Sequence, residues 1–155
     1  MNFQILALPR DEFAPLFALA DAQLQARGGK RCIADRKPGF PCRVSLEDAA
    51  PGESLVLIPF THHSADSPYR ASGPIFVREM ARQASLGVNE VPEQLRVRLL
   101  SVRAYDSQGV MRDADVVDGR QLESVVGGLL SDPLVQYLHV HFARPGCYAC
   151  RVDRA

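Results

Sequence analysis

The chain reads as an α+β protein. We expect one domain over 1–155, a mostly antiparallel sheet of about six or seven strands, two main helices and a C-terminal β-hairpin. Three observations predict this. Short runs with strand character recur along the chain, and most links between them are too short for parallel crossovers. Only two segments carry a clear apolar stripe at helical spacing. Hydrophobic residues make up 46% and charged residues 23% of 155, a globular composition with length enough for one core.

The elements follow in order. Phe3 to Leu8 is a short strand closed by Pro9. Asp11 is placed to cap a helix whose stripe is Phe13, Leu16, Phe17, Ala20 and Leu24, stopped at Gly28-Gly29. Residues 28 to 43 read as a long loop, and Ser45 to Asp48 as a capped turn before Pro51-Gly52. Glu53 to Phe60 is a strand apolar enough at its centre to be buried on both faces, and Thr61 to Tyr69 a polar loop. Pro74 to Val77 is a short strand, Arg78 to Leu86 a weak helix, and Leu95 to Tyr105 a strand whose apolar phase shifts as at a bulge. A turn at Asp106 to Gly109 leads to a strand from Val110 to Val117. Asp118 and Gln121 open a second helix with Leu122, Val125, Val126 and Leu129 inward, ended by Ser131-Asp132-Pro133. Leu134 to Ala143 and Cys147 to Val152 form the closing hairpin.

Several function classes fall away. Eighteen acids balance eighteen bases, so no global field steers the chain to nucleic acid or to anionic lipid. The longest apolar runs, such as Leu55 to Phe60, are far too short to span a bilayer. The N-terminus lacks the basic start and long apolar stretch of a signal peptide, so the expectation is a cytoplasmic protein with four reduced cysteines. There is no phosphate-binding glycine loop, GxSxG, HExxH or dinucleotide fingerprint.

Chemistry-bearing side chains concentrate in the closing hairpin. His139 and His141 share a strand face with Tyr137, opposite the more apolar Leu138, Val140 and Phe142, and that face is expected to be the wetter one. Two imidazoles at this spacing can hold one metal ion from a strand if further ligands are present. Cys147 and Cys150 lie three apart on a strand, so they point to opposite faces and at most one joins the histidines; Cys147, at the turn, is preferred. A second cluster is the basic loop from Arg27 to Arg43, where Pro38-Gly39 and Pro41 hold the backbone around Cys42. Cationic surroundings activate a thiol and attract anions. His62, His63 and Asp66 form a third group, with the capacity of a histidine–aspartate base or of additional metal ligands.

The motifs Pro38-Gly39-Phe40-Pro41-Cys42-Arg43, Gly52-Glu53, Pro68-Tyr69-Arg70, Ile75-Phe76-Val77-Arg78-Glu79, His139-x-His141 and Pro145-Gly146-Cys147-Tyr148 to Arg154 resemble a small bacterial family, domain of unknown function 1203. The resemblance runs over essentially the whole chain. It implies a bacterial, single-domain protein and no particular activity or cofactor.

Three readings remain open. In the first, Cys42, Cys147, His139 and His141 form a thiol-based catalytic site, with Arg43, Tyr69, Arg144 and Tyr148 binding a small anionic ligand. In the second, His139 and His141 hold a zinc ion with a third ligand from His63, Cys42 or Cys147. In the third, the chain is a non-catalytic interaction module, and a homodimer is the partner considered.

Overall fold

The computed structural model describes residues 1–155. Its eight strands and four α-helices are of the α+β class, every strand pair is antiparallel, and the chain closes on a hairpin. The strands are β1 (Phe3–Leu6), β2 (Lys30–Ile33), β3 (Ser54–His63), β4 (Ala71–Arg78), β5 (Leu99–Tyr105), β6 (Met111–Asp118), β7 (Tyr137–Phe142) and β8 (Tyr148–Arg154). The helices are α1 (Arg10–Phe13), α2 (Asp21–Ala26), α3 (Glu93–Arg96) and α4 (Leu122–Leu130).

The strands form two sheets, one of five in the order β1-β8-β7-β5-β6 and one of three in the order β2-β3-β4. The alternation along β5, β7 and β8 puts Leu100, Val102, Leu138, Val140 and Val152 on one side, where they pack with Leu122, Val126 and Leu130 of α4. Asp118 starts that helical segment by accepting the backbone N–H of Arg120, as the capping pattern predicts. A second core lies under the smaller sheet and joins Phe13, Leu16 and Leu24 to Val56, Ile58, Ile75 and Val77.

Five elements differ from the sequence reading. The expected helix from Asp11 is three pieces: α1, a 3₁₀ segment Ala14–Ala18, and α2. The chain turns extended at Leu19, with ψ 144°, and the Gln23 side chain accepts the Ala20 N–H to start α2 afresh. The inward positions survive because Phe13, Leu16 and Leu24 all reach one core. Lys30–Ile33 is a strand in what reads as loop, since its edge pairing with β3 leaves an exposed pattern without alternation. Leu95 belongs to the short helix α3, entered through extended Pro92, rather than to the strand that follows. Residues 81 to 87 form no helix.

The fifth difference matters most for chemistry. Strand β3 runs on through His62 and His63, past a register irregularity between Phe60 and His63. This carries both histidines out of the expected loop and against the face of the larger sheet that bears His139 and His141.

Candidate functional site

The basic loop and the closing hairpin meet, and a cleft of about 640 Å³ lies between them. Its loop side is Arg36, Pro38, Gly39, Pro41 and Arg43, and its hairpin side is Phe142, Arg144, Pro145 and Cys147. Phe76 and the segment Val97, Arg98 and Leu99 complete the wall. Val97 and Leu99 are 49% and 45% exposed, so the mouth is apolar while the lining carries four arginines.

Arg43 organises this place. Its side chain is 1% exposed and donates from all three nitrogens: Nε to the Tyr148 carbonyl at 2.7 Å, Nη1 to the Pro41 carbonyl at 2.5 Å, and Nη2 to Cys147 Sγ at 3.0 Å. The planar fork suits acceptors spread around one plane, which an ammonium could not serve together. Burial pulls the guanidinium below its ordinary value, contact with Cys147 opposes that, and a guanidinium stays cationic in proteins. No carboxylate lies within ion-pair distance of it.

The other arginines divide by partner. Arg98 is held bidentate by Asp48 at 2.8 and 2.6 Å and donates to the Gln94 carbonyl. Both Arg98 and Arg43 lie against the Phe142 ring, with guanidinium carbons 4.9 and 5.1 Å from its centre. Arg36 pairs with Asp35 at the exposed rim, and the exposed Arg144 has no acidic partner. Net positive charge therefore faces the cleft.

The remaining cysteines play no part in the cleft wall. Cys42 is fully buried in the smaller core, and its sulfur accepts the Ser45 and Arg78 backbone N–H groups at 3.4 and 3.3 Å. It anchors the turn from inside, where a substrate cannot reach it. Cys150 sits in the main core opposite Val140, and burial pushes its thiol up to about 12. Cys32 is half-buried in β2, where burial raises its thiol.

The four histidines and four tyrosines of the chain are all joined in a second cluster, on the face of the larger sheet away from α4. A register shift after Val140 places Tyr148, not a cysteine, opposite His141. Cys147 therefore turns to the other side, and no imidazole nitrogen bonds to a sulfur. The expected wet face is also corrected. His139 and His141 are 3% and 1% exposed because β3 lies over them.

Within the cluster, His63 has no free nitrogen. Nδ1 donates to the Tyr69 carbonyl and Nε2 accepts from the Tyr137 hydroxyl, both at 2.8 Å. Asp66 bonds to neither neighbouring histidine, so no histidine–aspartate base forms there. Tyr69 and Tyr148 belong here by their rings, Tyr148 lying flat on His62 at 5.3 Å. Of the four residues expected to bind a ligand, Arg43 and Arg144 line the cleft, while Tyr148 contributes only a carbonyl behind it. Burial, then neighbouring positive charge, pushes His62 and His141 down to about 4 and His139 to about 3, so all three are neutral imidazoles at physiological pH.

Arg98 and Phe142 are contributors that sequence reading missed. No local pattern links Arg98 to Asp48, fifty residues earlier, and Phe142 reads simply as core.

Fold and site together define an α+β protein with a basic, thiol-bearing cleft backed by an imidazole–phenol cluster. The chain belongs to the family described as protein of unknown function (DUF1203), whose model matches residues 39–154. The matched span contains the Gly39 to Arg43 half of the loop, all four histidines and the hairpin. No curated protein and no solved structure matches the chain.

Proposed function

We propose that the cleft binds a small anionic molecule and that Cys147 acts on it as a thiolate nucleophile. One observation carries this reading: a buried guanidinium without a carboxylate partner donates to Cys147 Sγ at 3.0 Å. The sulfur is thereby held at the cleft by a cationic donor, and the thiolate is the nucleophilic form of cysteine. Arg144 is free to meet the ligand's negative group, and Val97 and Leu99 accept an apolar body. The thiol is half-buried and borders the cleft, whereas Cys42 and Cys150 are sealed. Such a thiol needs a reducing compartment, in keeping with a cytoplasmic protein.

The test is competitive alkylation with iodoacetamide at about pH 6.5, each cysteine followed by peptide mass spectrometry. Cys147 is expected to label at least about tenfold faster than Cys32, the other half-buried cysteine, and inorganic phosphate or a dicarboxylate should slow it. Equal slow labelling of Cys147 and Cys32 would overturn the nucleophile. Fast labelling that no anion slows would overturn the ligand class.

A further inference from the structure

Three of the four histidines carry a buried ring nitrogen with no hydrogen-bond partner: Nδ1 of His62, Nδ1 of His139 and Nε2 of His141. Buried polar atoms are seldom left unpaired, and three in one cluster call for a shared cause. For His141 the tautomer follows from its neighbour. Nδ1 lies 3.0 Å from the Gly146 carbonyl, which can only accept, so Nδ1 holds the proton and Nε2 is a bare lone pair. An imidazole that donates one nitrogen to a backbone carbonyl and offers the other is oriented as metal-bound histidines commonly are.

We infer that His62, His139 and His141 form a binding site for one first-row divalent cation of the zinc or cobalt type. The donor set is all nitrogen, which suits zinc, cobalt, nickel or copper and not magnesium or calcium. His62 and His141 have ring centres 5.0 Å apart, and two imidazoles bound tetrahedrally to one zinc ion are separated by roughly 5 Å. His139 lies 6.3 and 6.5 Å from these two. In this arrangement no three His, Cys, Asp or Glu side chains converge with ligand geometry, so binding must turn the His139 ring inward by about 1 Å. His62 is half-buried and gives the ion its way in from solvent. His63 is excluded because both of its nitrogens are used. This replaces the sequence expectation, in which His63, Cys42 or Cys147 joins His139 and His141, with a set in which His62 is the third ligand. It is independent of the chemistry proposed for Cys147, which lies on the other side of the hairpin.

The competing explanation of the three nitrogens is ordered water, and a titration separates the two. Chelator-stripped full-length protein is titrated with Co²⁺, followed by its visible absorption, and with Zn²⁺ by calorimetry. The expected result is one ion per chain at micromolar affinity or tighter. His62→Gln should weaken it at least about tenfold with little change in the melting temperature of the stripped protein, since His62 is at the cluster's edge. Cys147→Ser should leave it unchanged. Absence of saturable binding to the wild-type chain would overturn the site and assign the nitrogens to water. Full-strength binding by His62→Gln, or loss of binding in Cys147→Ser, would overturn the ligand set.

Discussion

Replacing Arg43 with methionine keeps the stem and deletes the fork. The guanidinium donates to the Pro41 carbonyl, the Tyr148 carbonyl and Cys147 Sγ, and thereby ties the loop to the hairpin across more than a hundred residues of sequence. A hydrogen bond to a charged group is worth roughly 1.5–3 kcal/mol, and a carbonyl left dry costs about 1–3 kcal/mol. Relief of the buried charge offsets part of this, because a desolvated cation without a carboxylate is itself expensive. The net loss expected is on the order of 3–5 kcal/mol. At this chain length each kcal/mol moves the melting temperature by about 2–4 °C, so the midpoint should fall by on the order of 10 °C. The assay is thermal or urea unfolding of wild type, Arg43→Met and Arg43→Lys side by side. The lysine variant should lose nearly as much as methionine, because one ammonium cannot reach three acceptors spread around a plane. A loss below about 1 kcal/mol for Arg43→Met would refute the fork as the tie between loop and hairpin. Full stability in Arg43→Lys would show that charge alone suffices.

Two further outcomes test other parts of the fold. His139 and His141 titrate at about 3 and about 4 when folded, below the ordinary imidazole value near 6.5, so the unfolded chain takes up protons first. Their contribution is complete above that ordinary value and is lost as pH falls toward the folded values. Between about pH 7 and 5, with chelator present, the two should cost up to ~4 kcal/mol, read from urea midpoints; an unchanged midpoint would refute the buried neutral pair. Gly119→Ala would place a Cβ 1.8 Å from the Leu95 carbonyl oxygen and 2.9 Å from that of Arg98, both backbone atoms that cannot swing aside. It should cost about 3 kcal/mol in the same unfolding assay, and an unchanged midpoint would show that α3 is not packed against this turn.

Much of the fold was legible because hydrophobic alternation is a local signal. The strands at Phe3, Glu53, Pro74, Val110 and the hairpin, and the helix at Leu122, all lie where short-range patterning puts them, with shifted ends. The edge strand at Lys30 was hidden, since its pairing with β3 buries too little side chain to leave a period. The first helix was overextended because the stripe through Leu24 continues across a break that only backbone geometry reveals.

The sequence by itself determined the α+β class and the concentration of chemistry in the hairpin and the basic loop, whereas the expected opposite orientation of Cys147 and Cys150 failed, because the bulge after Val140 turns both toward the main core. The class and the concentration follow from composition and from the two-residue period of a strand, which act within a few positions. The tertiary structure decided which groups meet. A one-residue irregularity after Val140 sends Cys147 toward Arg43 and puts Tyr148 beside His141. The continuation of β3 over the second sheet turns an expected wet face into a buried imidazole cluster and brings His62 into it. Both depend on contacts between residues some eighty to a hundred positions apart, and no local pattern encodes which distant side chains will share a dry interior.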